Sequence, residues 1–179
     1  MTPVLTLHSA RVKLQPISPD VVEKIHHLHA IPVVAQYNTI GIPDNLAATE
    51  AVLKTRLDPD NEKHLGWVLY DQQHNFLGEA GLVFAPARFR KAEISYTIHP
   101  DYWNQGYATE IVKSLIKFAF QECQLHRLEA GVAVTNCASI RVLEKTGMQR
   151  EGRHRKILPL ISGWTDNFSY AILNSAYSH

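Results

Sequence analysis

Residues 92–120 read AEISYTIHPDYWNQGYATEIVKSLIKFAF, and the hydrophobic period changes once inside them. From Ala92 to Ile98 apolar and polar residues alternate, the period of a half-buried strand, and Pro100 ends it. Ala108, Ile111, Val112, Leu115, Ile116 and Ala119 then recur at i, i+3, i+4, i+7, i+8 and i+11, one unbroken helical stripe. Between the two periods lies Trp103-Asn104-Gln105-Gly106-Tyr107-Ala108-Thr109. A strand that enters a glycine-bearing loop and opens a helix suits an anion. The first helical N–H groups have no internal partner, and the helix dipole adds positive potential there. Gly106 removes the side chain that would hold a phosphate off the backbone, and Ala108 keeps the next turn open. Many such turns bind nothing, so the loop alone does not decide a function. The chain has neither GxGxxG nor GxxxxGK[ST], which removes two common nucleotide motifs.

Upstream, His64 to Tyr70, Phe76 to Phe84 and Ala92 to Ile98 form three strands at short spacing, with a polar turn at Asp71 to Asn75; two hairpins of an antiparallel meander are expected. Further back, Arg11 to Gln15 reads as a first strand. Ser18-Pro19-Asp20 reads as a capped helix start, with Val21, Val22, Ile25 and Leu28 as its apolar face. A second helix is expected over Ala47 to Leu57, burying Ala51, Val52 and Leu57, and Val33 to Asn45 reads as loop. Downstream, Leu128 to Val134 alternates as a strand. Ala138 to Thr146 reads as a short helix closed by Gly147 in a left-handed turn. A strand near Phe168 to Leu173 completes a β-α-α-β-β-β-α-β-α-β-β order, an α/β class chain with a mixed sheet.

Composition narrows the rest. With 18 Lys+Arg against 17 Asp+Glu the formal net charge is +1, which argues against nucleic acid held by bulk charge. Cys123 and Cys137 are too few for a disulfide framework and lack zinc-ligand spacing. No apolar run is long enough for a bilayer, and the first residues lack a signal-peptide pattern, so no membrane and a cytoplasmic location are expected. Of His26, His27 and His29 only His26 and His29 share a helix face, and no third ligand has recognisable spacing, so no metal is expected. Cys137 reads as a bystander, Asn167-Phe168-Ser169 as an unused glycosylation sequon, and Trp67, Trp103 and Trp164 as core or cleft walls.

The runs AEISYTIHPDYWNQGYATEIV and TNCASIRVLEKTGMQREG closely resemble the GNAT superfamily of N-acetyltransferases, in the branch of RimJ/RimL-type ribosomal-protein N-acetyltransferases. The likeness extends to the early RVKLQPISPD and the closing GWTDNFSYAIL. It implies the GNAT fold over residues 1–179 as one domain: a mostly antiparallel central sheet, splayed in the middle and flanked by helices. The superfamily motif is Q/R-x-x-G-x-G/A; Gly106 and Ala108 fill it, while Trp103 replaces Gln or Arg, as is common in this branch. The resemblance places the pyrophosphate of acetyl-CoA on the backbone amides of Gln105, Gly106, Tyr107, Ala108 and Thr109, and counts Trp103 and Asn104 among the cofactor-binding residues. It places the pantetheine along Tyr96, Thr97 and Ile98, with Asn136 in contact.

Amide formation from an amine and a thioester needs a neutral amine, a donor for the oxyanion and help for the leaving thiolate. Glu93 shares a strand face with Ser95 and Thr97 and is the candidate base; the plain alternative is a surface carboxylate paired with Arg88, Arg90 or Lys91. Asn136 and Ser139 fit the start of a helix as caps; the resemblance adds a hydrogen bond from Ser139 to the sulfur. The chain departs from the family twice. Leu143 stands where many members have a Tyr acid, and Lys156 to Pro159 carry no acid where RimL-type enzymes have a Glu. Glu79 is a reserve base. Expected partners are acetyl-CoA and an amine, a protein N-terminus or a small molecule such as a polyamine, aminoglycoside or amino acid, in a monomer or homodimer. A non-catalytic acyl-CoA-binding module is the alternative from another class.

Overall fold

A computed structural model describes residues 5–58, 61 and 63–175. Its strands are β1 (Leu7–His8), β2 (Val12–Pro16), β3 (His64–Asp71), β4 (Phe76–Phe84), β5 (Lys91–Ile98), β6 (Arg127–Ala133), β7 (Gln149–Leu160) and β8 (Gly163–Leu173). Its helices are α1 (Val22–His29), α2 (Pro32–Ala35), α3 (Leu46–Leu57), α4 (Tyr107–Gln121) and α5 (Cys137–Lys145). The strands form one sheet in the order β1-β2-β3-β4-β5-β6-β8-β7. Every neighbouring pair is antiparallel except β5 and β6.

That exception positions the site. The parallel pairing of β5 with β6 runs only through Lys91↔Arg127, Ala92↔Leu128 and Glu93↔Glu129. Beyond Glu93 the strands part, and among the described residues the β6-facing edge of β5 from Ile94 onward pairs with no strand. The expected splay is present at the expected place.

Helix α4 follows its sequence stripe. Ile111, Val112, Leu115, Phe118 and Ala119 are buried in a cluster with Ala92, Ile94, Leu128, Ala130 and Val132 from one face of the sheet. Trp67 joins them, fully buried and edge-on to Phe118 at 5.5 Å. Against the opposite face, Val21, Val22, Ile25 and Leu53 from α1, α3 and the turn before them pack on Val68 and Tyr70. Helix α5 ends as its glycine predicts. Gly147 takes φ +87°, its N–H donates to Glu144 O, and the Met148 N–H donates to Leu143 O, the paired bonds of a Schellman turn.

Several local expectations need correction. Val33 to Asn45 is not all loop, because Pro32 at the first turn starts the short α2. Ser18 does not cap through its side chain; its Oγ donates to Asp20 Oδ1, and a 3₁₀ turn precedes α1. Helix α3 buries Thr49 and Leu53, leaving Ala51 and Val52 exposed, since packing on α1 selects a different stripe. Its cap is Asn45, which accepts from the Ala48 N–H at 2.9 Å. The polar strand β7 carried no apolar alternation to reveal it; pairing with β8 holds it. Trp164 forms neither core nor wall, being 62 % exposed near the β7–β8 turn.

Candidate active site

The loop before α4 offers its amides outward. Gly106 caps the helix at φ +83° and Asn104 sits at φ +59°, so two left-handed residues turn the chain through the loop. Among the described residues the N–H groups of Gln105 to Thr109 donate to no protein acceptor, and Trp103 to Gly106 are exposed. These N–H groups, at the positive end of a long helix, fit a pyrophosphate. Trp103 folds back, and its indole N–H donates to Ile98 O at 2.7 Å. The unusual Trp therefore ties the loop to the end of β5, and it occupies one carbonyl that the pantetheine was expected to use.

Arg11, which local sequence reasoning left without a role, braces the loop from the β1–β2 turn. Its Nη1 donates to Gln105 O at 3.1 Å, its Nε to Glu110 Oε2 at 2.8 Å, and its guanidinium lies 4.4 Å from the centre of the Tyr107 ring. Burial alone would raise the Glu110 carboxyl, but hydrogen bonds from Ser9 and Arg11 hold it below its ordinary range. The partners lie about a hundred residues apart in sequence, so no local pattern could pair them.

At the fork, β5 presents different chemistry on its two faces. Ile94 and Ile98 point into the α4 core with Tyr96 packed beside them. The Tyr96 hydroxyl lies 2.7 Å from Ser139 Oγ at the start of α5, a contact that crosses the opening between β5 and β6. Burial pushes the Tyr96 phenol up to about 12, a lesser pull downward coming from Ser139. Asn136 caps α5 as expected, its Oδ1 accepting from the Ser139 N–H at 3.1 Å. Leu143 is core, 1 % exposed.

On the other face, Glu93 is exposed beside Ser95 and the half-buried Thr97. Its Oε1 and the Asn167 side-chain amide converge over Gly131, each within 3.4 Å of the point a Cβ there would occupy. Glu93 makes no hydrogen bond or ion pair among the described residues. The three cations weighed as partners are turned elsewhere: Lys91 to Glu129, Arg90 to Gln124 O, and Arg88 over the Phe89 ring.

Glu79, the reserve base, is buried and doubly held. His29 Nε2 donates to its Oε1 at 2.7 Å and Arg56 Nη1 to its Oε2 at 2.9 Å. Burial would raise its carboxyl, but His29 and Arg56 together hold it below the ordinary range. The paired Gly66 and Gly81 let Arg56 reach it: a Cβ on Gly66 would stand 3.3 Å from Arg56 Cβ, and one on Gly81 3.8 Å from Arg56 Cζ. His26 meets Thr49 instead, so the two histidines that share a face of α1 go to separate protein partners.

Residues 11–149 match the acetyltransferase (GNAT) domain family. The chain belongs to the GNAT acetyltransferase family. The probable N-acetyltransferase YjcK of Bacillus subtilis is 36 % identical over 120 residues, 66 % of each chain. The chain spans about half to two thirds of the length of the first curated relatives it matches. RimJ of Mycobacterium smegmatis, solved in complex with CoA-disulfide, shares the fold at a TM-score of 0.87 and 20 % identity, covering 100 % of this chain and 93 % of that one. Spermidine N-acetyltransferase of Vibrio cholerae, solved with CoA and spermine, superposes at 0.84 with 21 % identity, covering 93 % and 97 %. The expected GNAT architecture is borne out, and at the level of fold so is the likeness to RimJ.

Proposed function

We propose that this chain, as one domain over residues 1–179, transfers the acetyl group of acetyl-CoA to a primary amine by direct attack on the thioester. The observation that carries this reading is the fork after Glu93, with an unpaired carboxylate on one face and a hydroxyl pair on the other. The pyrophosphate rests on the amides of Gln105 to Thr109, and the pantetheine runs along the free edge of β5 beside Tyr96, with Asn136 opposite. The amine enters on the Glu93 face. Glu93 takes its proton, directly or through water, as the N–C bond forms. The thiolate then leaves with the C–S electron pair, accepting a hydrogen bond from Ser139. Acetyl-CoA is made inside cells, which fits a cytoplasmic enzyme.

The charge pattern favours an acceptor with a single amine, such as a protein N-terminus, over a polyamine. Polyamines need several free carboxylates, whereas the acids placed around this face by register or contact are already matched. Glu79 is held by Arg56 and His29, Glu129 by Lys91 and Arg127, and Glu151 by Arg127. Only Glu93 among them has no cation. The likeness to the Vibrio spermidine N-acetyltransferase keeps polyamines as the competing acceptor class, to be run beside peptides.

Acetyl-CoA at about 100 times its dissociation constant should stabilise the protein by about 2.7 kcal/mol. For this length the melting temperature rises by about 5–11 °C. The absence of any shift removes both the enzyme and the binding-module readings. Thiol release across a panel of N-terminal peptides, amino acids, aminoglycosides and polyamines then separates enzyme from binder.

A further inference from the structure

We infer that Tyr96 is a positioning residue for the leaving group: its hydroxyl fixes the proton of Ser139 so that the Ser139 O–H points into the fork. The inference rests on the acetyl-transfer reading above and goes beyond it, because that reading gave the Tyr96 hydroxyl no task in the transfer.

The Tyr96 ring is packed beside the α4 core, and among the described residues its hydroxyl has one partner, Ser139 Oγ at 2.7 Å. A phenol is a stronger donor and a poorer acceptor than an alcohol. With no other acceptor in reach, the Tyr96 proton goes to Ser139 Oγ. Burial keeps that proton in place, raising the phenol to about 12. Once Ser139 Oγ accepts from Tyr96, its own proton must be directed elsewhere. Asn136 holds the Ser139 backbone and Tyr96 holds its Oγ, so the remaining freedom is the hydroxyl rotor. The open direction is the gap between β5 and β6, where the thioester sulfur lies in the proposed reaction.

The proton balance needs no further participant. The amine proton passes to Glu93 and on to water, the sulfur leaves as thiolate, and Tyr96 and Ser139 keep their protons throughout. This supplies a leaving-group device in a chain whose α5 places Leu143 in the core. The donating hydroxyl belongs to Ser139 of α5, and β5 supplies, across the fork, the Tyr96 hydroxyl that orients it.

A double-mutant cycle tests this on the full chain with acetyl-CoA and its best acceptor. Tyr96→Phe should lower kcat about tenfold, with the KM for acetyl-CoA within twofold of wild type. Ser139→Ala should lower kcat roughly a hundredfold. The double variant should be no slower than Ser139→Ala, because Tyr96 acts only through Ser139. In a Ser139→Thr background, which keeps the hydroxyl, Tyr96→Phe should again lower kcat about tenfold. Two results overturn the inference: an unchanged kcat in Tyr96→Phe, or effects that multiply in the double variant. If Tyr96→Phe does not fold, 3-fluorotyrosine at position 96 keeps the ring and strengthens the donor. Its kcat should then be at or above wild type with Ser139 present, and a decrease overturns the inference. Failure of the underlying reading looks different, because wild-type protein would then release no thiol with any amine.

Discussion

Glu93 differs from Glu79, Glu129 and Glu151 near the fork in having no cation among the described residues to neutralise it. Lys91, two residues away in sequence, reaches instead to Glu129 at 2.9 Å. A carboxylate left unpaired at the edge of an opening sheet is free to accept a proton, which a structural ion-pair member is not. Glu93→Gln should therefore lower kcat by about 10²- to 10⁴-fold while the acetyl-CoA-induced rise in melting temperature stays as in wild type. Equal loss of both would mean that Glu93 supports the fold. At this scale the sequence told part of the story. Glu93, Asn136 and Ser139 were legible because the motif and the strand period place them. The side-chain role of Tyr96 was not, because residues 96 and 139 meet only when the sheet brings α5 across the fork. Arg11, Arg56 and His29 were missed for the same reason: each finds its partner across a long sequence separation, and no local period carries that information.

The elements around the fork hold it from two sides. On one, the β1–β2 turn clamps the first turn of α4 through Arg11, Glu110 and Ser9. Arg11→Ala removes charge-assisted bonds from the loop that presents the amides. It should raise the KM for acetyl-CoA about tenfold, with kcat within twofold in steady-state kinetics. On the other side, α1 and α3 meet the sheet through His29, Arg56 and Glu79. Removing the anion leaves Arg56 without its buried partner, so Glu79→Gln should cost about 3 kcal/mol. In a thermal melt that is a fall of about 6–12 °C. The same carboxyl sets an acid limit. Its pKa is depressed on folding, so its contribution is present above the unfolded value of about 4.3 and is lost as pH falls through the lower folded value. Wild-type protein should lose stability below about pH 4.3 more steeply than Glu79→Gln; parallel pH profiles would contradict this assignment. The approximate spans of α1 and α3 were legible from periodicity, but Ser18 does not cap through its side chain and the sequence of α2 reads as loop. The buried stripe of α3 was not legible, because Val52 and Leu53 are adjacent apolar residues and only docking on α1 decides which one faces inward.

Across the whole molecule, the change of period inside residues 92–120 anticipated the feature that matters most: a strand and a helix joined by an amide-rich loop at the point where the sheet divides. The meander of β3, β4 and β5 was readable from alternation and polar turns. The β7–β8 hairpin was half-hidden, since β7 is mostly exposed and polar and gains its strand character from pairing alone. Near-neutral net charge also takes on meaning at this scale. A chain with formal charge +1 is suited to hold a polyanionic donor through backbone N–H groups, and near the fork Glu79 and Glu129 are engaged in internal ion pairs while Glu93 is not. The most direct measurement is thiol release from acetyl-CoA followed against acetylated amine, with and without an N-terminal peptide acceptor. Direct transfer predicts release only when the amine is present, one thiol for each amide formed. A burst of thiol without amine, or donor-induced stabilisation with no release on any amine, would contradict it.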